Sequence, residues 1–146
     1  MSHDRSAPQD HDRFFSEPAL ALREASVRRW GANQAIEIVG RSSRLVEILG
    51  KARKIAAYDD PVLITGESGT GKESLAAALH VLGRRRERPF VSVNCPQYQE
   101  GNLTVSELFG HRKGSFTGAV SDRKGCFETA QGGVVFLDEI GDLNMS

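Results

Sequence analysis

The chain has 146 residues, a length of about one domain. Hydrophobic residues make up 39% and charged residues 26%, and 19 cationic side chains balance 19 acidic ones, so the formal net charge is zero. That balance argues against a chain whose main task is to coat nucleic acid or an anionic membrane, and two cysteines without C-x-x-C spacing offer no disulfide framework.

The N-terminal stretch MSHDRSAPQDHDRFF is polar and lacks the apolar run of a signal peptide. The longest strongly apolar stretch, Val134 to Leu137, is far too short to span a bilayer, so a soluble, cytoplasmic chain is expected. His3, His11, His80 and His111 have no metal-ligand spacing, and no zinc site is expected. Residues 1–35 read as a linker or disordered segment, ordered only where something docks on it. Within it, residues 19–30 offer a short helix of weak periodicity.

From Ile36 the pattern sharpens, and residues 36–146 read as the folded part. Ile36-Glu37-Ile38-Val39-Gly40 is a short apolar segment ending at a turn residue. Leu45, Ile48, Leu49, Ala52, Ile55 and Ala56 then recur at helical spacing behind Ser42 or Ser43 as N-cap, and Asp59-Asp60-Pro61 breaks that helix. Val62–Thr65 reads as a strand buried on both faces. A glycine-rich turn follows, then a helix with Leu75, Ala76, Leu79 and Leu82 on one side. Gly83 and the basic run Arg84–Arg88 make a solvated loop. Strands are expected at Phe90–Val93 and Val134–Asp138, short helices at Leu103–Phe109 and Gly125–Ala130, and an exposed loop at residues 110–121. Alternating strands and helices define an α/β class with a parallel sheet.

Two motifs carry chemistry. Gly66-Glu67-Ser68-Gly69-Thr70-Gly71-Lys72 fits G-x-x-x-x-G-K between a strand and a helix. Glycines let that turn aim backbone N–H groups at phosphate oxygens, the helix begins there with its positive end, and Lys72 adds a point charge for the β- and γ-phosphates. The usual pattern continues with Ser or Thr, whose hydroxyl holds Mg²⁺; here Glu73 stands instead, and its carboxylate can act on the metal through water. Further on, Asp138-Glu139 follows four apolar residues. An acidic pair ending a strand downstream of a phosphate loop is the Walker B arrangement. Asp138 is then expected to hold Mg²⁺, directly or through water, and Glu139 to be the general base that polarises the attacking water.

Three segments, GESGTGKE (66–73), ELFGHRKGSFTGA (107–119) and GGVVFLDEIGDL (132–143), resemble the AAA+ ATPase domain of bacterial sigma-54-dependent transcriptional activators. The likeness runs from about Ile38 to the last residue. It implies a P-loop NTPase sheet flanked by helices, with ATP and Mg²⁺ as cofactors. It also implies that Gly114, Ser115, Phe116, Thr117, Gly118 and Ala119 form the loop that touches sigma-54, with Phe116 the apolar contact. The family's usual loop has Ala where Ser115 stands. By the same resemblance Asn94 senses nucleotide by gripping Glu139, and Ile38, Val39 and Gly40 border the adenine ring. A glutamate after the G-K pair is common in the family.

The resemblance further implies the sigma-54 RNA polymerase holoenzyme as partner, and ring assembly with other AAA+ protomers once the domain is complete. The chain ends eight residues after Asp138, so the sheet is expected to stop after the Walker B strand. In that fold a sensor strand separates the phosphate-loop strand from the Walker B strand. Without it both strands are expected to have bare edges. Arginine fingers, lid and DNA-binding helices are likewise expected to lie outside these residues, so turnover by the chain alone is expected to be negligible. The expected function is ATP binding and sigma-54 interaction in transcription regulation. Two alternatives remain: a non-enzymatic module that binds sigma-54 or blocks assembly, or an inactive gene fragment. A small-molecule kinase is disfavoured by the GSFTGA loop and the acidic pair.

Overall fold

The computed structural model describes residues 12–95 and 101–142. The chain forms two compact units, Met1–Arg84 and Arg85–Ser146. The described part of the first is built on three helices: α1 (Glu17–Trp30), α2 (Ser43–Ile55) and α3 (Lys72–Leu82).

Helix α1 starts with Pro18 in its first turn, where a missing N–H costs nothing, and carries Arg28 and Arg29 in its last turn, where the dipole favours cations. Gly31 ends it at φ 86°, donating to the Val27 carbonyl at 2.9 Å. Its buried side chains are Ala19, Leu22 and Ser26, one helical face. Ser26 is satisfied there: its hydroxyl donates to the Arg23 carbonyl and accepts from the Ile36 N–H, both at 2.8 Å. Helix α2 is capped by Ser42, whose oxygen accepts from Leu45 N–H at 3.3 Å. Leu49 and Ala52 are buried in it, as is Ala56 just beyond.

The core of this unit gathers Phe15, Ala19, Leu22, Ile36, Leu49, Ala78 and Val81. Residues 12–35, expected to behave as a linker, therefore supply three of its members. The first eleven residues of that segment lie outside the described residues. The periodicity of α1 is weak in the sequence because its hidden face contains Ala19 and Ser26 rather than a row of leucines. Helix α3 likewise turns a different face inward than its leucines suggest: Ala76, Ala78, His80 and Val81 are buried, while Leu75, Leu79 and Leu82 are half-buried. His80 lies with its ring stacked on Trp30, centroids 5.8 Å apart and planes 7° from parallel.

The apolar Ile36–Gly40 segment forms a single bridge rather than a strand. Gly40 N–H donates to the Phe14 carbonyl at 3.0 Å, and Ser16 N–H donates to the Gly40 carbonyl at 3.1 Å. Val62–Thr65 departs from the expected buried strand. Among the described residues it has no ladder partner, and Val62 and Leu63 are 43% and 80% exposed. A strand exists only by pairing, and the sensor strand implied as its neighbour is not among the described residues.

The second unit holds β1 (Phe90–Asn94), α4 (Gly101–Phe109), β2 (Gly110–His111), β3 (Arg123–Lys124), α5 (Cys126–Thr129) and β4 (Val134–Asp138). Strands β1 and β4 are parallel and pair from Phe90↔Val134 to Asn94↔Asp138. The pairing is set by Gly133, where an added Cβ would fall 2.0 Å from the Pro89 carbonyl oxygen, the same oxygen that accepts from Val134 N–H at 2.9 Å. Among the described residues this sheet has two strands, and every residue of β4 is only half-buried. Strands β2 and β3 form an antiparallel pair around the loop read as exposed from the sequence. No helix among the described residues is long and apolar enough to cross a membrane.

Candidate functional site

The phosphate-loop residues fall in the first unit. Gly69 and Gly71 take φ of 76° and 87°, Gly71 as the residue that opens α3. An added Cβ at either would meet nothing within 4 Å, so the left-handed backbone, and not crowding, calls for glycine. No side chain caps α3, so its first backbone donors are not used by a capping group. Thr70 Oγ1 donates to the Glu67 carbonyl at 2.7 Å and tightens the turn. Lys72 Nζ donates to the carbonyls of Gly66 at 3.2 Å and Glu67 at 2.9 Å, so its ammonium stays within the loop instead of extending into solvent. Residues 66–71 are all exposed, and Glu73 sits in the first helical turn.

This donor set fits a polyphosphate. It combines uncapped helix-start amides, open space at Gly69 and Gly71, and one ammonium. An open groove lined by Lys54, Ile55, Tyr58, Asp60, Pro61, Val62 and Leu63 lies in the same unit, and none of its lining residues belongs to the loop. Of the expected adenine border, Ile38 is half-buried, Val39 is exposed and Gly40 is the residue bridged to Phe15.

The acidic pair and Asn94 fall in the second unit. Asp138 ends β4, and Glu139 follows at φ 52° with its N–H donating to Asp138 Oδ1 at 3.0 Å. Glu139 is the one non-glycine residue with positive φ among those described. Such backbone costs about 1–3 kcal/mol and persists where the surroundings hold it. Asn94 is the register partner of Asp138. Its amide oxygen is buried with no hydrogen-bond partner among the described residues, and no hydrogen bond joins it to Glu139 there. Next to Asn94, Cys95 is buried; burial pushes its thiol up, and the charges of Asp138 and Cys126 push it the same way. Burial raises Cys126 too, against two backbone hydrogen bonds that lower it.

Residues 114–119 form the turn between β2 and β3. Gly114 N–H donates to the Ala119 carbonyl at 2.8 Å and Ala119 N–H to the Phe116 carbonyl at 3.0 Å, closing the loop on itself. Gly114 and Gly118 take φ of 82° and 103°. Asp122 clamps the base: its carboxylate accepts from Lys113 N–H at 2.7 Å and lies 3.5 Å from Arg112. Arg123 pairs with Glu107 of α4. Below them Gly110 of β2 and Gly125, the residue ahead of α5, press together, since a Cβ on Gly125 would fall 2.4 Å from Gly110 N. Ser115, Thr117 and Gly118 are exposed and Ala119 is buried. Phe116 is half-buried, its ring meeting that of His111 edge-on with centroids 5.0 Å apart and planes at 68°. The partners Ser106, His111 and Asp122 carry no signal in linear spacing; each acts through the hairpin, whose two-residue strands have no apolar alternation to reveal them.

A phosphate loop opening a helix, with a parallel strand pair ending in an acidic pair, defines a P-loop fold of the AAA+ type. The chain belongs to the sigma-54 interaction domain family, whose model matches residues 38–146. Transcriptional regulatory protein GlrR of Escherichia coli K12 is 45% identical over 139 residues, which cover 93% of this chain and 30% of that protein. The Nif-specific regulatory protein of Rhodobacter capsulatus is 50% identical over 142 residues, 96% of this chain and 24% of that one. Among solved structures, NtrX from Brucella abortus in complex with ATP superposes with a TM-score of 0.68 at 30% identity, over 86% of this chain and 26% of that one. Its complex with ADP gives 0.65 at 31% identity, over 86% and 27%. The chain thus spans less than a third of the length of these relatives.

Proposed function

We propose that the chain binds ATP and contacts sigma-54, as part of an activator acting in sigma-54-dependent transcription. The observation that carries the reading is the open, left-handed turn at Gly69 and Gly71 with Lys72 held at its mouth. In this reading Gly66, Glu67, Ser68, Gly69, Thr70 and Gly71 present backbone donors to the triphosphate, and Lys72 leaves its two carbonyls to neutralise the β- and γ-phosphates. Glu73 acts on Mg²⁺ through water. Asp138 would hold Mg²⁺, directly or through water, and the metal would supply charge neutralisation at the phosphates. ATP supplies the phosphoryl group whose transfer to water drives the activator's cycle.

Glu139 is the general base and Asn94 the group that restrains it. The pairing of Asn94 with Asp138, the residue before Glu139, supports this assignment; the restraint falls to the Asn94 amide N–H₂, since its oxygen and the Glu139 carboxylate are both acceptors. Ile38, Val39 and Gly40 border the base. Gly114 to Ala119 form the sigma-54 contact, with Phe116 as its apolar anchor. The partner is sigma-54 within the RNA polymerase holoenzyme, and other AAA+ protomers are the ring partners of the whole activator. NtrX, crystallised with ATP, supports nucleotide binding by the shared fold.

Capture of purified sigma-54 by the immobilised chain, with and without Mg-ATP, tests the reading. Wild type is expected to retain sigma-54 and Phe116→Ala to lose it. Equal retention by both removes the loop from the interface.

A further inference from the structure

We propose that Ser106 and His111 form a clip that stores Phe116 against the base of its own loop, and that the ring must leave this clip to engage its partner. The inference rests on the sigma-54 reading of the loop given above. Ser106, near the end of α4, is 4% exposed, and its Oγ lies 2.5 Å from His111 Nδ1. That bond fixes the imidazole plane. The His111 backbone is fixed as well, because it sits in β2 opposite Arg123, whose side chain is tied to Glu107. The Phe116 ring docks on this immobilised surface edge-on, at 5.0 Å and 68°, the arrangement in which a positive ring edge meets a negative ring face. Its neighbours Ser115, Thr117 and Gly118 stay exposed.

The rest of the hairpin base cannot give way. Asp122 holds Lys113 N–H at 2.7 Å, and Gly110 and Gly125 approach so closely that neither tolerates a Cβ. The loop backbone is closed by the bond from Gly114 N–H to the Ala119 carbonyl, so the freedom left lies in the Phe116 side-chain torsions, beside Gly114 and Gly118 with open space where a Cβ would stand. A side chain docked on one ring beside two unobstructed glycines can exchange without disturbing the hairpin. While docked, Phe116 is withheld from a partner. The apparent affinity is then reduced by the fraction of loops with the ring released. A single edge-to-face pair corresponds to roughly a two- to tenfold bias toward the docked form. His111 and Ser106 are therefore positioning residues: they set how often the anchor is presented.

The test uses the 146-residue chain with Ser106→Ala, which leaves the imidazole but removes its anchor, and His111→Gln, which removes the ring and keeps a hydrogen-bonding side chain. Proton NMR of the free chain reads docking directly. The His111 ring signals are expected to show a ring-current shift in wild type that is lost in Phe116→Leu and in Ser106→Ala. A shift that persists in Ser106→Ala overturns the clip whether or not the chain binds sigma-54, so the two readings fail separately. Titration with purified sigma-54 is expected to show binding about two- to tenfold tighter for Ser106→Ala and for His111→Gln than for wild type. Unchanged or weaker binding in both, with circular dichroism matching wild type, overturns the storage role. If one variant fails to fold, the other decides.

Discussion

The two units use glycine in two different ways. In the first unit Gly69 and Gly71 stand in open space, and only their left-handed backbone calls for the residue. In the second, Gly110, Gly125 and Gly133 are pressed against neighbouring backbone, with built Cβ positions 2.0 to 2.4 Å from backbone atoms. The first pattern, shared by Gly114 and Gly118 of the second unit, leaves backbone uncrowded; at Gly69 and Gly71 it makes the receptacle proposed for the triphosphate. The second is that of a frame: chain segments brought closer than any side chain permits, with Gly110 and Gly125 holding the turn that carries Phe116 and Gly133 setting the β1–β4 pairing. The two kinds of glycine look alike in the sequence and differ only in what surrounds them.

Substitution separates them, and the largest effect belongs to the frame. Gly125→Ala forces a methyl into the backbone of residues 108–110 and is expected to destabilise the second unit by on the order of 3 kcal/mol or more. Gly71→Ala carries only the left-handed penalty, about 1–2 kcal/mol, because its methyl meets no protein atom. Urea unfolding of the two variants measures the gap; equal losses would erase the distinction. A middle-sized effect is expected at Ser26→Ala, which strands the buried Ile36 N–H and costs about 1–3 kcal/mol in the first unit. Its signature is a lower urea midpoint reported by Trp30 fluorescence.

The smallest effect is chemical and lies inside the second unit. Both thiols have raised pKa values, so each holds less thiolate than a free cysteine at a given pH, and alkylation needs more alkaline solution. Cys95 is buried and Cys126 half-buried, so iodoacetamide followed by mass spectrometry should label Cys126 first. Labelling of Cys95 ahead of Cys126 would show that the strand end beside Asp138 opens more readily than its packing implies.

What the sequence displays and what it hides divide along the same physical line. Strand Val134–Asp138 is visible because four apolar residues precede two acids, and α2 because its apolar residues keep helical spacing behind Ser42. The phosphate loop is visible because its chemistry resides in the backbone and needs glycine at set positions. Helix α1 is blurred, since Ala19 and Ser26 bury well without looking apolar, and Ser26 is tolerated only through its bonds to Arg23 and Ile36. His80 is hidden for the same reason: a polar residue buried by stacking on Trp30. Val62–Thr65 reads as a strand because its side chains are apolar, yet pairing is a property of a partner and not of the segment. Phe116 reads as a free tip, because nothing in the order of residues announces that His111, five positions earlier, returns beneath it.

Nucleotide binding at the receptacle is the central expectation. Titrating the 146-residue chain with a fluorescent ATP analogue and Mg²⁺ measures it, alongside Lys72→Ala. Saturable binding by wild type, weakened about tenfold or more by loss of the ammonium, is the predicted result. Equal affinity in both proteins, or no binding by wild type, would contradict it.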